Sequence, residues 1–153
     1  MLIRKATNID LVDALMLYAQ LNPQDSAVTD GRDVEVLARI TTSEDLHLFV
    51  GDLENRIVTI CYLNLIPNLS RDASPYGIIE NVVTERTLRN RGLEEMIMAH
   101  ALDVAFDNRC YKVMLQTGSN RSSPHRFYRS YGFVGDDKHA FLARPGMSVG
   151  EYR

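Results

Sequence analysis

The sequence predicts one α/β (α+β) domain in which a mixed sheet carries helices on both faces. Three observations lead there. A chain of 153 residues has the size of a single domain with one core. No repeat, low-complexity tract or linker-like stretch divides it, so residues 1–153 read as one unit. The apolar patterning gives the order β, α, α, β, β, β, α, β, α, β, in which strands alternate with helices only in the second half, as a mixed sheet requires.

"LIRKA" at 2–6 is a short strand, and Thr7 with Asp10 three residues on opens a helix in the manner of a capping box. That helix runs to about Leu21. Leu11, Leu15 and Tyr18, with Val12, Met16 and Ala19 beside them, follow helical spacing, and Pro23 lies just past the end. A second helix covers about 34–40. "LHLFVGDLENRIVTICYLNLI" supplies two β-rich runs around Leu53-Glu54-Asn55-Arg56, which is hairpin material. "PNLSRDASPYG" at 67–77 is a loop, and "GIIENVVT" a further strand. The stretch from 84 to 105 carries the longest helix, with Leu93, Met96, Ile97, Ala101 and Val104 on one face. "YKVMLQT" is the next strand. Ser123 and Pro124 form an N-cap and first helical position, Gly132 sits where a left-handed residue ends a helix, and "HAFLARP" is a closing strand.

Composition narrows the function. A net charge of −3 with 24% charged residues shows no basic excess, so nucleic acid is not an expected partner. Neither end reads as a signal peptide, and no apolar run approaches the roughly 20 residues that span a bilayer; the expectation is a cytoplasmic protein with no membrane partner. Cys61 and Cys110 lack a CxxC spacing and read as reduced, buried thiols. No HExxH, CxxC pair or dense carboxylate cluster points to a metal, and GxSxG and GxxxxGK[ST] are missing as well.

The informative corner is "TERTLRNRGLEEMIMAHALDVA", 84–105, where a strand stops and two arginines bracket an Asn before a Gly and a helix. A helix start presents unpaired N–H groups and a partial positive charge, which attract anions. Arg89 and Arg91 can add to this, and Gly92 lets a ligand approach the backbone. Alone, the corner reads first as a solvated strand-to-helix turn and only second as a phosphate site. A second stretch, "NRSSPHRFYRSYGF" at 120–133, combines an Asn, a short capped helix, Phe127-Tyr128 and a Gly-Phe ending.

Together the two stretches resemble the acetyl-CoA signature of the GNAT N-acetyltransferase superfamily. The family's turn reads Arg or Gln, two residues, Gly, one residue, then Gly or Ala; here it is Arg89, Asn90, Arg91, Gly92, Leu93 and Glu94. The later motif falls on Phe127, Tyr128, Gly132 and Phe133. "IENVVT" and "CYKVMLQT" are similar to strands of the glucosamine-6-phosphate N-acetyltransferases. The resemblance implies the GNAT acyl-CoA N-acyltransferase fold, with a mostly antiparallel sheet splayed at strand 78–84. It implies acetyl-CoA as cosubstrate, its pantetheine arm on the main chain of Val82, Val83 and Thr84, and its pyrophosphate on the amides of 89–94. It further implies contacts from Asn120, Phe127 and Tyr128, and a homodimer. Glu94 departs from the family pattern. Its carboxylate either faces and repels the pyrophosphate or lies outside the contact as a first-turn residue favouring the helix dipole.

Acetyl transfer to an amine needs a base, donors for the developing oxyanion, and a proton for the leaving thiolate. Glu80, a carboxylate in an otherwise apolar strand, can serve as base directly or through water; it also reads as an exposed strand residue. The resemblance gives the thiolate's proton to Tyr128, whose other reading is packing, and the oxyanion to the N–H of Val82 or Val83. His100 reads as a core-side histidine and His125 as surface near the last helix. The expected function is direct transfer of acetyl to a primary amine of a small molecule or peptide, with an amino sugar phosphate, a polyamine or amino-acid-like amine, and a peptide terminus as acceptors. Loops 22–33 and 67–77 would shape that pocket. The alternative is a non-catalytic acyl-CoA-binding or sensory module of the same fold, which Glu94 in place of the second glycine favours.

Overall fold

The computed structural model describes residues 1–117, 127–137 and 140–145, in two compact units, 1–116 and 117–153. The first unit holds β1 (Leu2–Lys5), α1 (Leu11–Leu21), α2 (Arg32–Thr42), β2 (Leu46–Leu53), β3 (Arg56–Ile66), β4 (Tyr76–Thr84), α3 (Leu93–Asp107) and β5 (Val113–Leu115). The five strands lie in sequence order. Each neighbouring pair is antiparallel except β4 and β5, which are parallel across the α3 crossover. The sheet is thus mixed and mostly antiparallel, as expected.

Local chemistry explains the joints. The Asp10 carboxylate accepts the Thr7 N–H at 2.7 Å and the Thr7 hydroxyl at 3.0 Å, and Arg4 from β1 grips it through two nitrogens at 2.7 and 2.8 Å. This capping contact fixes the entry into α1 through a 3₁₀ turn, Asn8–Asp10. Between β2 and β3, Glu54 and Asn55 both have positive φ, +55° and +63°, the requirement of a two-residue type I′ hairpin.

Alternation along β2 divides the core. Leu48 and Val50 pack with Ala14 and Leu17 of α1, Leu37 of α2, Ile60 and Val83. Phe49 points the other way and meets the His100 ring of α3 edge-on at 4.7 Å, so helices cover both faces and His100 is partly buried on the core side. Ile97, Met98, Ala101 and Ala105 are the buried residues of α3.

Several elements differ from expectation. In α1 the inward residues are Ala14 and Leu17, backed by Leu11, Tyr18 and Leu21, while Val12, Leu15 and Met16 are exposed. In α3, Met96 is exposed and Met98 takes its place. Both helices are apolar over most of their circumference, so spacing alone leaves the phase open, and contact with the sheet sets it. Loop 67–77 contains a four-residue turn, Ser70–Ala73, in which Arg71, Asp72 and Ala73 have positive φ. The strand expected at 111–117 is paired only over Val113–Leu115. The expected closing strand overlaps residues 140–145, which are not in strand; residue 139 lies outside the described residues.

Candidate acyl-CoA site

The site begins where β4 loses a neighbour. β5 pairs with Gly77, Ile78 and Ile79 only, so among the described residues the β4 main chain from Glu80 to Thr84 has β3 on one side and an open edge on the other. On β3, Ile60 faces Val83 and Tyr62 faces Glu80. One β3 residue, Cys61, therefore spans two of β4, Asn81 and Val82: a β-bulge, with Asn81 at φ +53°.

The bulge decides which amides face the opening. Upstream, the Gly77 N–H reaches the Lys112 carbonyl on the β5 side at 2.9 Å; downstream, the Glu85 N–H reaches the Val58 carbonyl on the β3 side at 2.8 Å. Both residues are odd-numbered, so the inserted residue has reversed the parity. Past the bulge, Val82 and Thr84 turn their main-chain groups to the open edge, whereas Val83 turns its own to β3 and buries its side chain among α1 and α2 residues. Glu80 is exposed. It stands directly opposite Tyr62, and such pairs project to the same face. Tyr62 packs against the α1–α2 cluster, which places Glu80 on that face.

The turn that follows is tied down at several points. The Arg86 N–H donates to Gln20 Oε1 of α1 at 2.9 Å, the Leu88 N–H to the Glu85 carbonyl at 2.9 Å, and the Thr87 hydroxyl to the Glu85 carboxylate. Arg89 folds back so that its Nε donates to the Thr84 carbonyl at 3.0 Å. Asn90 and Gly92 have φ of +60° and +78°. Gly92 is the N-cap of α3 and offers no side-chain cap, and among the described residues nothing lies within 4 Å of where its Cβ would be. The first backbone bond of α3 is Met96 N–H to the Gly92 carbonyl at 3.1 Å, which leaves the amides of Leu93, Glu94 and Glu95 as the outward-facing donors of a helix N-terminus.

Glu94 is partly buried. Burial chiefly holds its carboxyl above the ordinary range, with Glu95 adding repulsion and Arg89 opposing it. Its charge is also felt at Cys61, whose thiol is pushed up to about 12, mainly by burial.

In the second unit, residues 127–130 are helical. The Phe133 N–H donates to the Tyr128 carbonyl at 3.2 Å and the Gly132 N–H to the Arg129 carbonyl at 3.0 Å; with Gly132 at φ +82° this is a Schellman ending, as expected. The Tyr128 ring lies 5.2 Å from Phe127 and 6.1 Å from Phe133. Asn120, Ser123, Pro124 and His125 lie outside the described residues.

A hollow of about 400 Å³ lined by Asp45, Leu65, Pro67, Asn68 and Asn108 among others lies by the C-cap of α3. This is the end of the helix opposite Gly92, so the hollow is not part of the site.

Sequence reasoning missed the bulge at Asn81, the Gln20 contact and the buried pair Thr59–Thr84. The one local signal was an Asn inside an apolar strand, since Asn tolerates positive φ better than most residues.

The chain matches the acetyltransferase (GNAT) family over residues 13–133. It belongs to the GNAT acetyltransferase family. Among similar proteins, the Trypanosoma brucei brucei glucosamine 6-phosphate N-acetyltransferase is 33% identical over 101 residues, which is 66% of this chain and 64% of that protein's length. A solved structure from Agrobacterium tumefaciens str. C58, assigned as an acetyltransferase, is 40% identical with a TM-score of 0.89, covering 94% of this chain and 99% of its own. The glucosamine-6-phosphate N-acetyltransferase of Arabidopsis thaliana, at 22% identity and TM-score 0.81 over 94% of this chain and 96% of its own, shares the GNAT fold. In that fold the β4 edge and the α3 N-terminus are the places the resemblance assigns to an acyl-CoA. The residues present suit one, with an open strand edge, a free Cβ position at Gly92 and an uncapped helix end. No helix among the described residues is long and apolar enough to cross a membrane.

Proposed function

We propose that residues 1–153 act as one N-acetyltransferase domain that moves acetyl from acetyl-CoA directly to a primary amine. The observation that carries this is the open, bulged edge of β4 running toward the uncapped N-terminus of α3. Acetyl-CoA supplies an activated acetyl thioester. Val82 and Thr84 bind its pantetheine arm through main-chain groups turned to the open edge, while Val83 between them, expected to share that contact, faces β3 and only holds the strand in place; Arg89, Asn90, Arg91, Gly92, Leu93 and Glu94 line its pyrophosphate; Asn120, Phe127 and Tyr128 complete its contacts. Glu80 takes a proton from the acceptor ammonium, directly or through water, so that the nitrogen lone pair is free to form the new C–N bond. The Val82 N–H, turned to the open edge, holds the negative charge that develops on the acetyl oxygen. Tyr128 gives its proton to the sulfur as the C–S bond breaks, the acylated nitrogen loses its remaining extra proton to solvent to leave a neutral amide, and Glu80 and Tyr128 are restored by exchange with solvent.

The name of the Trypanosoma relative supports an amino sugar phosphate as acceptor. Thiol release should be followed over a panel of amines that includes glucosamine 6-phosphate, amino acids, polyamines and peptides. For the amine that reacts, Tyr128→Phe keeps the ring and should lower kcat by about a hundredfold, within the range of general acid catalysis; a wild-type rate removes Tyr128 from the chemistry. The second reading, a non-catalytic acyl-CoA-binding module, is favoured by Glu94, and it wins if CoA binds but no amine in the panel releases thiol. A two-fold homodimer is also proposed, supported by the family resemblance and by exposed Ile9, Val12 and Met16. Sedimentation should give twice the chain mass at tens of micromolar, and a monomer mass overturns it.

A further inference from the structure

Thr59 and Thr84 form a hydroxyl pair inside the sheet, and neither hydroxyl has a part in the chemistry above, where Thr84 acts through its main chain. Thr59 is fully buried and Thr84 nearly so. Their oxygens lie 2.9 Å apart, and Thr59 Oγ1 donates to the Val83 carbonyl at 3.1 Å. A hydroxyl has one proton to give. With that of Thr59 committed to Val83, Thr84 must be the donor to Thr59, and the bonds run Thr84 to Thr59 to Val83 in one direction.

This chain closes just past the bulge, where β4 has no β5 partner to hold it. It locks the side chain of Thr84 inward and so steadies the Thr84 main chain in the outward direction that the bulge sets. The carbonyl exposed in this way is the acceptor of Arg89 Nε at 3.0 Å. With Nε occupied, the two terminal nitrogens of the guanidinium are held at the start of the turn that leads to the α3 amides, in the fork geometry that suits phosphate oxygens.

We infer that Thr59 is a positioning residue for the diphosphate of the acyl-CoA: through Thr84 it fixes the carbonyl on which Arg89 is set. This rests on the acetyl-CoA reading above and adds to it a residue on β3 that faces the core and not the ligand.

The test is calorimetric titration of the full chain with CoA at several salt concentrations. Thr59→Val keeps the shape and removes the hydroxyl. CoA should bind about tenfold more weakly, the scale of one charge-assisted hydrogen bond, and its affinity should fall less steeply with salt because a cation has left the diphosphate. Thr59→Ser should restore both. Arg89→Gln should weaken binding similarly, and Thr59→Val added to it should cost nothing more, as expected of residues acting in series. If Thr59→Val fails to fold, Thr84→Val breaks the same chain from its other end and is held to the same expectations. An unchanged dissociation constant and salt slope, or losses that simply add to those of Arg89→Gln, overturn the inference and leave the acetyl-CoA reading intact. Wild-type protein that shows no heat with millimolar CoA refutes the acetyl-CoA reading and the inference with it.

Discussion

At the scale of single residues, the position that departs from the family pattern is the one whose environment is most telling. Glu94 stands in the first turn of α3, where the helix dipole favours a carboxylate. Burial nonetheless holds its pKa above the usual carboxylate range. The two effects coexist because the side chain is partly buried and loses hydration. A pyrophosphate on the Leu93 to Glu95 amides would bring further negative charge to the same helix end. Glu94→Gly should therefore tighten CoA binding severalfold, and more at low salt than at high salt. An equal dissociation constant at both salts would show the carboxylate to be neutral or turned away when ligand is bound. In the wild-type protein, CoA binding should carry proton uptake by Glu94, visible as a buffer-dependent heat.

At the scale of elements, the legibility of the sequence followed how local each determinant is. The hairpin at 53–56, the Thr7–Asp10 capping contact and the Gly132 helix ending were readable because each is fixed by residues within a few positions, and all three are present; the type I′ form of the hairpin came only from the φ of Glu54 and Asn55. The sheet order was not readable, since pairing is a long-range property. Nor was the phase of α1, whose sequence LVDALMLYAQL is apolar on most sides. The signature corner was readable as a turn from Arg89 and Gly92. What makes it a site is the parity reversal at Asn81, which depends on the register with β3. The observed phase of α1 makes a prediction. Leu17 is 2% exposed and Met16 is 63% exposed, so Leu17→Ala should cost about 2–5 kcal/mol in urea unfolding as a cavity in the α1–α2 core. Met16→Ala should stay within about 0.5 kcal/mol in the monomer, as surface changes do. The reverse ranking would put the inward face of α1 elsewhere.

At the scale of the whole molecule, stability on the acid side should fall in two separate steps, because two buried titratable groups are held by opposite means. His47 is 5% exposed, stacked on Phe49 at 5.7 Å. The Glu44 main chain is near enough to favour the charged ring weakly, yet neither ring nitrogen meets hydrogen-bond geometry among the described residues. Burial dominates and lowers its pKa, with Lys5 acting in the same direction. The folded state thus prefers the neutral ring, and the stabilisation is present above the ordinary histidine pKa of about 6.5 and is lost as pH falls below it. Asp10 is ionised and held below its usual value, chiefly by the Arg4 hydrogen bonds and further by Thr7. Its contribution is full above the ordinary carboxylate value of about 4 and disappears as pH falls beneath it. Urea midpoints measured from pH 7.5 to 2.5 should therefore decline first below about pH 6.5 and again below about pH 4. His47→Phe, which places an apolar ring in the same stack, should flatten the first decline and leave the second. Asp10→Asn should lower stability at neutral pH, since it strips Arg4 of its partner and the α1 entry of its cap, and it should flatten only the second decline. If His47→Phe leaves the first decline in place, that step belongs to a different group and His47 keeps its proton count on unfolding.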